Sequence, residues 1–191
     1  MAQTRTISDE DSLLALSERV GSDPALVQGP GGNVSLKGGG VLWVKASGTW
    51  LAHARQKPIM VPLDLDRLRA AFAAGDPACE SCVDFVRQDL NADRLRPSIE
   101  TTFHAMMPQR VVVHVHCVET IATAARTDAA AVCAERLAGL NWALAEYRRP
   151  GVPLTRAIEA VRKPETNVVV LANHGLVVAG ETVEETAALL A

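Results

Sequence analysis

The sequence has no run of lysine or arginine, no apolar stretch approaching the roughly 20 residues of a membrane-spanning helix, and no second Cys-x-x-Cys pair beside Cys79 and Cys82. Each absence removes a class of function. With no clustered cations and a formal net charge of -3, the chain lacks the footprint that a nucleic-acid backbone requires, so no nucleic-acid partner is expected. The polar start, residues 1–10, has no signal-peptide core, so no membrane partner is expected and the protein is expected in the cytoplasm. The single Cys79/Cys82 pair lacks the other half of a zinc knuckle, and Cys117 and Cys133 read as small hydrophobes; all four are expected to be free thiols. No repeat, low-complexity tract or linker divides the chain. Its 191 residues, 48% hydrophobic and 21% charged, suffice for one sizeable core, so one domain over residues 1–191 is expected. The last predicted helix reaches Ala191 with no cap or polar segment after its leucines, so the chain reads either as one whole domain or as a C-terminally truncated piece of a longer protein.

What is present reads as mixed helix and strand. Ser8 and the acidic turn Asp9, Glu10 and Asp11 precede Leu13, Leu14, Leu16 and Val20 at helical spacing, and Gly21 is a natural stop. Two short apolar runs, 34–36 and 41–44, flank Gly38, Gly39 and Gly40 and read as a hairpin. Asp64 can cap a helix to Ala74 with Gly75 behind it, and a further helix is expected over 79–90. Pro97, Ser98, Ile99 and Glu100 open another. Strands are expected at 110–116, 140–147, 167–172 and 176–178, and helices at 118–126, 128–138, 154–162 and from Thr182 onward. Strands and helices sharing one core, with hairpin connections among them, predict a three-layer α/β/α sandwich whose sheet is partly antiparallel.

The chemistry is expected from histidine. His114 and His116 stand two apart in an apolar run, and alternation along a strand puts such residues on one face, roughly 7 Å apart. Each could be satisfied by its own hydrogen bond, but one cation satisfies both. A third imidazole, His174 in Asn173, His174, Gly175, would leave the open position that separates a catalytic zinc from a structural one, although Asn-His-Gly is also a turn signature. Glu100, after the expected cap Ser98, is either an ordinary first-turn carboxylate or a base beside the metal. His104, four residues on and crowded by Phe103, Met106 and Met107, reads as structural rather than as a ligand. His53 reads as a surface residue.

Three segments are suited to an anion. The glycine-rich loop 29–33 brings backbone amides and the Asn33 side chain; Lys45, Ala46, Ser47 and Gly48 end the next strand; Ser98 stands at a helix start. Each alone is a turn or a cap, and together, with Lys45, they hint at phosphate.

Taken in order, Gly31, Gly32, Asn33, Val34 and Ser35, then Val44, Lys45, Ala46, Ser47 and Gly48, then Pro97, Ser98, Ile99 and Glu100, then His114, Val115 and His116, then Asn173, His174 and Gly175, the chain resembles the class II aldolase/adducin superfamily. The resemblance covers nearly the whole chain. Its closest flavour is that of rhamnose-utilisation aldolases, which are often longer and sometimes fused to a dehydrogenase. It implies a three-layer fold with a largely antiparallel sheet and a homo-oligomer, typically a tetramer. It further implies Zn2+, or another divalent metal, on His114, His116 and His174, Glu100 as the base, and Gly32, Asn33, Lys45, Ser47, Gly48 and Ser98 as substrate or phosphate binders. The expected reaction is cleavage or formation of a carbon-carbon bond in a small sugar phosphate through an enediolate. Epimerisation, decarboxylation or dehydration of a related sugar or hydroxy acid, and a nonenzymatic adducin-like interaction module, are the alternatives. Family aldolases use a tyrosine of a neighbouring subunit as proton donor. Tyr147, the one tyrosine here, does not match that position and leaves the acid unassigned.

Overall fold

The structure, a computed structural model, describes residues 7–191; part of the polar start read above, residues 1–6, lies outside the described residues. Helix α1 (Ile7–Gly21) already contains Ser8, expected ahead of it, and it buries Leu13, Leu16 and Val20. Strands β1 (Asn33–Gly38) and β2 (Val41–Lys45) form the expected hairpin, and Gly39 and Gly40 supply the two positive φ angles of its tight turn. Strand β3 (Met60–Asp64) then pairs with the other side of β2. It is unexpected because Pro62 lies inside it; the strand is at the edge of the sheet, where a missing N–H costs no ladder bond.

Helix α2 (Leu65–Ala74) is built as its sequence dictates, with the Asp64 carboxylate accepting from the Arg67 N–H at 3.0 Å and Gly75 left-handed at its end. The helix expected over 79–90 is absent. Two 3-10 turns, Pro77–Glu80 and Val83–Phe85, replace it, with Cys82 at φ 56 between them. The spacing of three between Cys79, Cys82 and Phe85 suits 3-10 winding and buries all three against β2 and β3, while Val86 bridges to Leu63. His53, expected on the surface, lies half-buried in a 3-10 turn (Leu51–His53) and stacks on Trp50.

The remaining elements are α3 (Thr101–Met106), β4 (Val111–Val115), α4 (Val118–Ala124), α5 (Ala129–Arg136), β5 (Trp142–Ala145), α6 (Val152–Val161), β6 (Val168–Leu171), β7 (Gly175–Gly180) and α7 (Val183–Leu190). Their ends differ from expectation by a few residues, the ordinary uncertainty of fraying termini. The seven strands form one sheet in the order β3-β2-β1-β4-β7-β6-β5, antiparallel throughout except for the β5/β6 pair. Val111, Val113 and Val115 pack toward α1 and α7, whereas Val112 packs with Phe103, Leu154 and Ile158 of α3 and α6. The sheet is thus covered on both faces, the three-layer arrangement expected. Its valine-rich β4 is buried on both sides, and into that dry strand the sequence places His114, fully buried. Among the described residues, no helix is long and apolar enough to cross a membrane.

Candidate metal centre

Three loop or strand ends meet at one end of the sheet's central strands. His114 belongs to β4 and pairs in register with Asn33 of β1 and Val177 of β7; His116 lies just past the end of β4; His174 sits in the tight turn between β6 and β7. That turn is the one the Asn-His-Gly signature predicts. Asn173 takes the left-handed conformation (φ 53) that asparagine tolerates, and Gly175 admits no side chain, since a Cβ there would lie 2.2 Å from the Val115 carbonyl oxygen. The turn and the ligand readings of His174 are therefore one feature. The three rings converge with centroids 4.9, 4.9 and 5.2 Å apart, and one candidate ligand atom from each falls within 4.8 Å of the others.

Hydrogen bonding fixes how His114 presents itself. Its Nδ1 lies 3.0 Å from the Leu176 carbonyl oxygen, which can only accept, so the proton sits on Nδ1 and the Nε2 lone pair is free. Burial holds His114 at a pKa of about 3 and His174 at about 4, and lowers that of His116, so all three rings are uncharged at neutral pH. Neutral imidazole is the ligating form.

Glu100 completes the group. Its Oε1 is 3.3 Å from His174 Nε2 and its Oε2 is 3.7 Å from His114 Nε2. With both rings neutral these are contacts between prospective ligands rather than ion pairs. The carboxyl is buried, which raises its pKa, while His174, His116, a hydrogen bond from Asn33 and Lys45 act in the opposite sense. Glu100, expected inside the first helical turn, stands instead at the boundary of α3. The Ser98 hydroxyl caps the turn before it, accepting the Glu100 N–H at 3.2 Å. The Asn33 contact has no counterpart in the sequence reading: the amide donates to Glu100 Oε2 and so holds the carboxylate rather than facing an anion alone.

Whether these residues suit a metal is answered by their unmet polar atoms. Among the described residues, His114 Nε2, His116 Nε2, His174 Nδ1, Glu100 Oε1 and Asn33 Oδ1 are all buried without a hydrogen-bond partner. Unpartnered polar atoms this well buried are expensive, and one divalent cation could satisfy His114 Nε2, His116 Nε2 and Glu100 Oε1 together, a set of neutral imidazoles and a carboxylate that suits it. His104 stays apart. It is fully buried on α3, stacks on Phe103 and makes a 2.8 Å hydrogen bond to the Ser35 hydroxyl, the structural place expected of it.

A cleft of about 250 Å³ opens onto the group, with Gly32, Asn33, Lys45, Ser47, Gly48 and Ser98 all on its wall beside Glu100, His116 and His174. Every residue read as a substrate binder is therefore brought to the same place. Ser47 and Gly48 lie exposed at the mouth, whereas Lys45 and Ser98 are buried deeper. A more apolar cavity of about 190 Å³, beside α4 and α5, has no unpartnered buried polar atom on its wall. The four cysteines are free, with Cys79, Cys82 and Cys133 buried and Cys117 half-buried.

Residues 11–191 match the family described as class II aldolase and adducin N-terminal domain. The N-terminal class II aldolase domain of a conserved protein from Thermoplasma acidophilum is similar in structure, with a TM-score of 0.80 at 29% identity over 98% of this chain and 91% of that one. An L-fuculose-1-phosphate aldolase from Thermus thermophilus shares the fold, with a TM-score of 0.63 at 17% identity over 94% and 86% of the two chains. Among curated proteins, the uncharacterized oxidoreductase YuxG of Bacillus subtilis (strain 168) is 31% identical over 186 residues. That match spans 91% of this chain but only 27% of the longer relative.

Proposed function

The chain belongs to the class II aldolase and adducin N-terminal domain family, and from that premise we propose that it is a divalent-metal-dependent aldolase acting on a small sugar phosphate, with zinc as the expected metal. The observation that carries this reading is the convergence of three neutral imidazoles on a buried carboxyl at the floor of an open cleft. His114, His116 and His174 would hold the metal. When bound, it supplies Lewis-acid polarisation of a carbonyl oxygen, which acidifies the neighbouring C–H.

The protein's own residues do the rest. Glu100, oriented by Asn33 and kept from solvent, holds or releases the proton of the carbon next to that carbonyl. Gly32, Ser47, Gly48 and Ser98 line a wall of small residues and polar groups on which a phosphate can rest, with Lys45 as its cation. Retention of all three histidines and Glu100 favours an enzyme over a nonenzymatic interaction module. A homo-oligomer, as the resemblance implies, is part of the same proposal.

Product analysis tests it. Metal-loaded protein incubated with a panel of ketose 1-phosphates, L-fuculose 1-phosphate included, is expected to release an aldehyde and dihydroxyacetone phosphate in equal amounts, followed by NMR. The Glu100→Gln variant should bind metal yet lose about a hundredfold or more in rate. An epimer, a decarboxylated product or a dehydrated one would replace the aldolase reading, and an unimpaired Glu100→Gln would remove Glu100 from it.

A further inference from the structure

The sugar-phosphate reading, on which this inference rests, gives the phosphate a wall of small residues and one buried cation, Lys45, whose Nζ already donates to the Pro30 carbonyl oxygen at 2.9 Å. A phosphate monoester carries roughly -1.5 to -2 charge at pH 7. A second cation stands at the mouth of the cleft. It is Arg96, which is not among the binders that the resemblance implies.

Its place follows from strand geometry. Ala46 and Pro97 form an antiparallel bridge, and the Ser47 N–H donates to the Arg96 carbonyl oxygen at 2.9 Å. In such a pair opposite residues share a face and neighbours along each chain alternate, so Ala46 and Pro97 face one way and Lys45, Ser47, Arg96 and Ser98 the other. Burial agrees: Ala46 and Pro97 are buried, Ala46 in the core beneath α2, whereas Lys45, Ser47 and Ser98 all line the cleft. Arg96 shares their face without being part of the wall, and it is exposed beside the mouth, as Ser47 and Gly48 are. Opposite residues of such a pair have Cβ atoms roughly 5 Å apart, a span that an arginine side chain covers by rotating about its own bonds.

Two further observations set Arg96 apart from an ordinary surface arginine. Among the described residues its guanidinium has no ion pair, hydrogen bond or ring contact, whereas Arg87 is paired with Asp89 and Arg149 with Glu80. Its backbone, in contrast, is held. The buried Asn91 side chain donates to the Leu95 carbonyl oxygen at 2.9 Å and accepts from the Leu95 N–H at 3.1 Å, closing the loop that leads into Arg96. We propose that Arg96 is a phosphate-recognition residue of this cleft, its guanidinium folding over the mouth to make paired hydrogen bonds to the substrate phosphate and so selecting phosphorylated over unphosphorylated substrates. The planar fork of arginine matches two phosphate oxygens at once, and Lys45 faces the same group from within as a point charge. Arg96 does not line the wall beside Glu100 and the imidazoles, so its contribution falls on binding rather than on the reacting atoms.

The test separates phosphate recognition from support of the fold or of an oligomer. Metal-loaded wild type, Arg96→Gln and Arg96→Lys are titrated calorimetrically with dihydroxyacetone phosphate and with dihydroxyacetone, which differ only in the phosphate. Each protein is also assayed for cleavage of whichever ketose phosphate the wild type accepts. Arg96→Gln is expected to weaken dihydroxyacetone phosphate and to raise KM by about tenfold to a hundredfold, the scale of hydrogen bonds to a charged group, with dihydroxyacetone binding and kcat near wild type. Arg96→Lys keeps a charge without the planar fork and should recover only part of the loss. Unchanged binding of dihydroxyacetone phosphate in Arg96→Gln, or equal weakening of both ligands, would overturn the proposal. Weakened binding that accompanies dissociation of an oligomer on size-exclusion chromatography would overturn it too, by making Arg96 an interface residue. A wild type that cleaves a ketose phosphate while Arg96→Gln retains its KM removes Arg96 only; a wild type that neither favours dihydroxyacetone phosphate over dihydroxyacetone nor cleaves any ketose phosphate removes the sugar-phosphate reading beneath it.

Discussion

Two lysines on neighbouring strands illustrate how position decides what a buried charge does. Lys45 borders a cleft, whereas Lys37 is enclosed at the opposite end of the sheet, donating to the Gln109 carbonyl oxygen at 2.6 Å. Burial, reinforced by Arg69 and partly opposed by Glu181, lowers Lys37 to about 7 from 10.5. Between those two pH values the unfolded chain holds a proton that the folded chain lacks, so stability rises with pH across that window and the penalty is complete below it. Lys37→Met should therefore stabilise the protein at about pH 6, on the order of 1–3 kcal/mol after the lost hydrogen bond, with the gain fading toward about pH 10. Urea unfolding at the two pH values checks this; a gain that grows toward alkaline pH would contradict it. At this scale the histidines were legible because their spacing is local, and Glu100 because it follows a recognisable turn. The Asn33 hold on Glu100 was not legible, since it joins residues 67 apart through the pairing of β1 with β4. The hydrogen bond from Lys45 to the Pro30 carbonyl oxygen likewise joins residues 15 apart.

Single elements carry the precision of the site. The β6/β7 turn places His174, and Gly175 lets β7 lie close against β4, with a Cβ at that position 2.2 Å from the Val115 oxygen and 3.2 Å from His114 Cε1. Gly175→Ala is expected to push the two strands apart, lower stability by roughly 1–3 kcal/mol or more, and weaken metal binding through both His114 and His174. Thermal unfolding together with a metal titration reads both effects; an alanine variant that binds metal as tightly as wild type would show the turn to be more pliant than its geometry implies. The same scale explains where expectation and structure part. Hairpin, caps and most helices followed from local chemistry. Strand β3 did not, because Pro62 argues against a strand until its partner is known to lie on one side only. The stretch 79–90 has helix-forming residues, but tertiary packing of Cys79, Cys82 and Phe85 on β2 and β3 winds it into 3-10 turns instead.

For the whole molecule, the organising fact is that the end of β4, the β6/β7 turn and the start of α3, far apart in sequence, bring three uncharged imidazoles and Glu100 together at one end of the central strands of a sheet buried on both faces. The family was legible from motif order, and the three-layer sandwich from the order of strands and helices in one core; what no local pattern could supply was the convergence of distant loops on one cleft. A metal at that point would tie those segments together, so its binding free energy adds to folding stability. Metal stoichiometry is therefore the most direct measurement of the central claim. Elemental analysis of the purified protein after dialysis against zinc should find one divalent ion per chain, absent when His114 and His116 are both changed to Ala in a variant that still folds. No stoichiometric metal in the wild type, or the same metal content in the doubly substituted protein, would contradict the account.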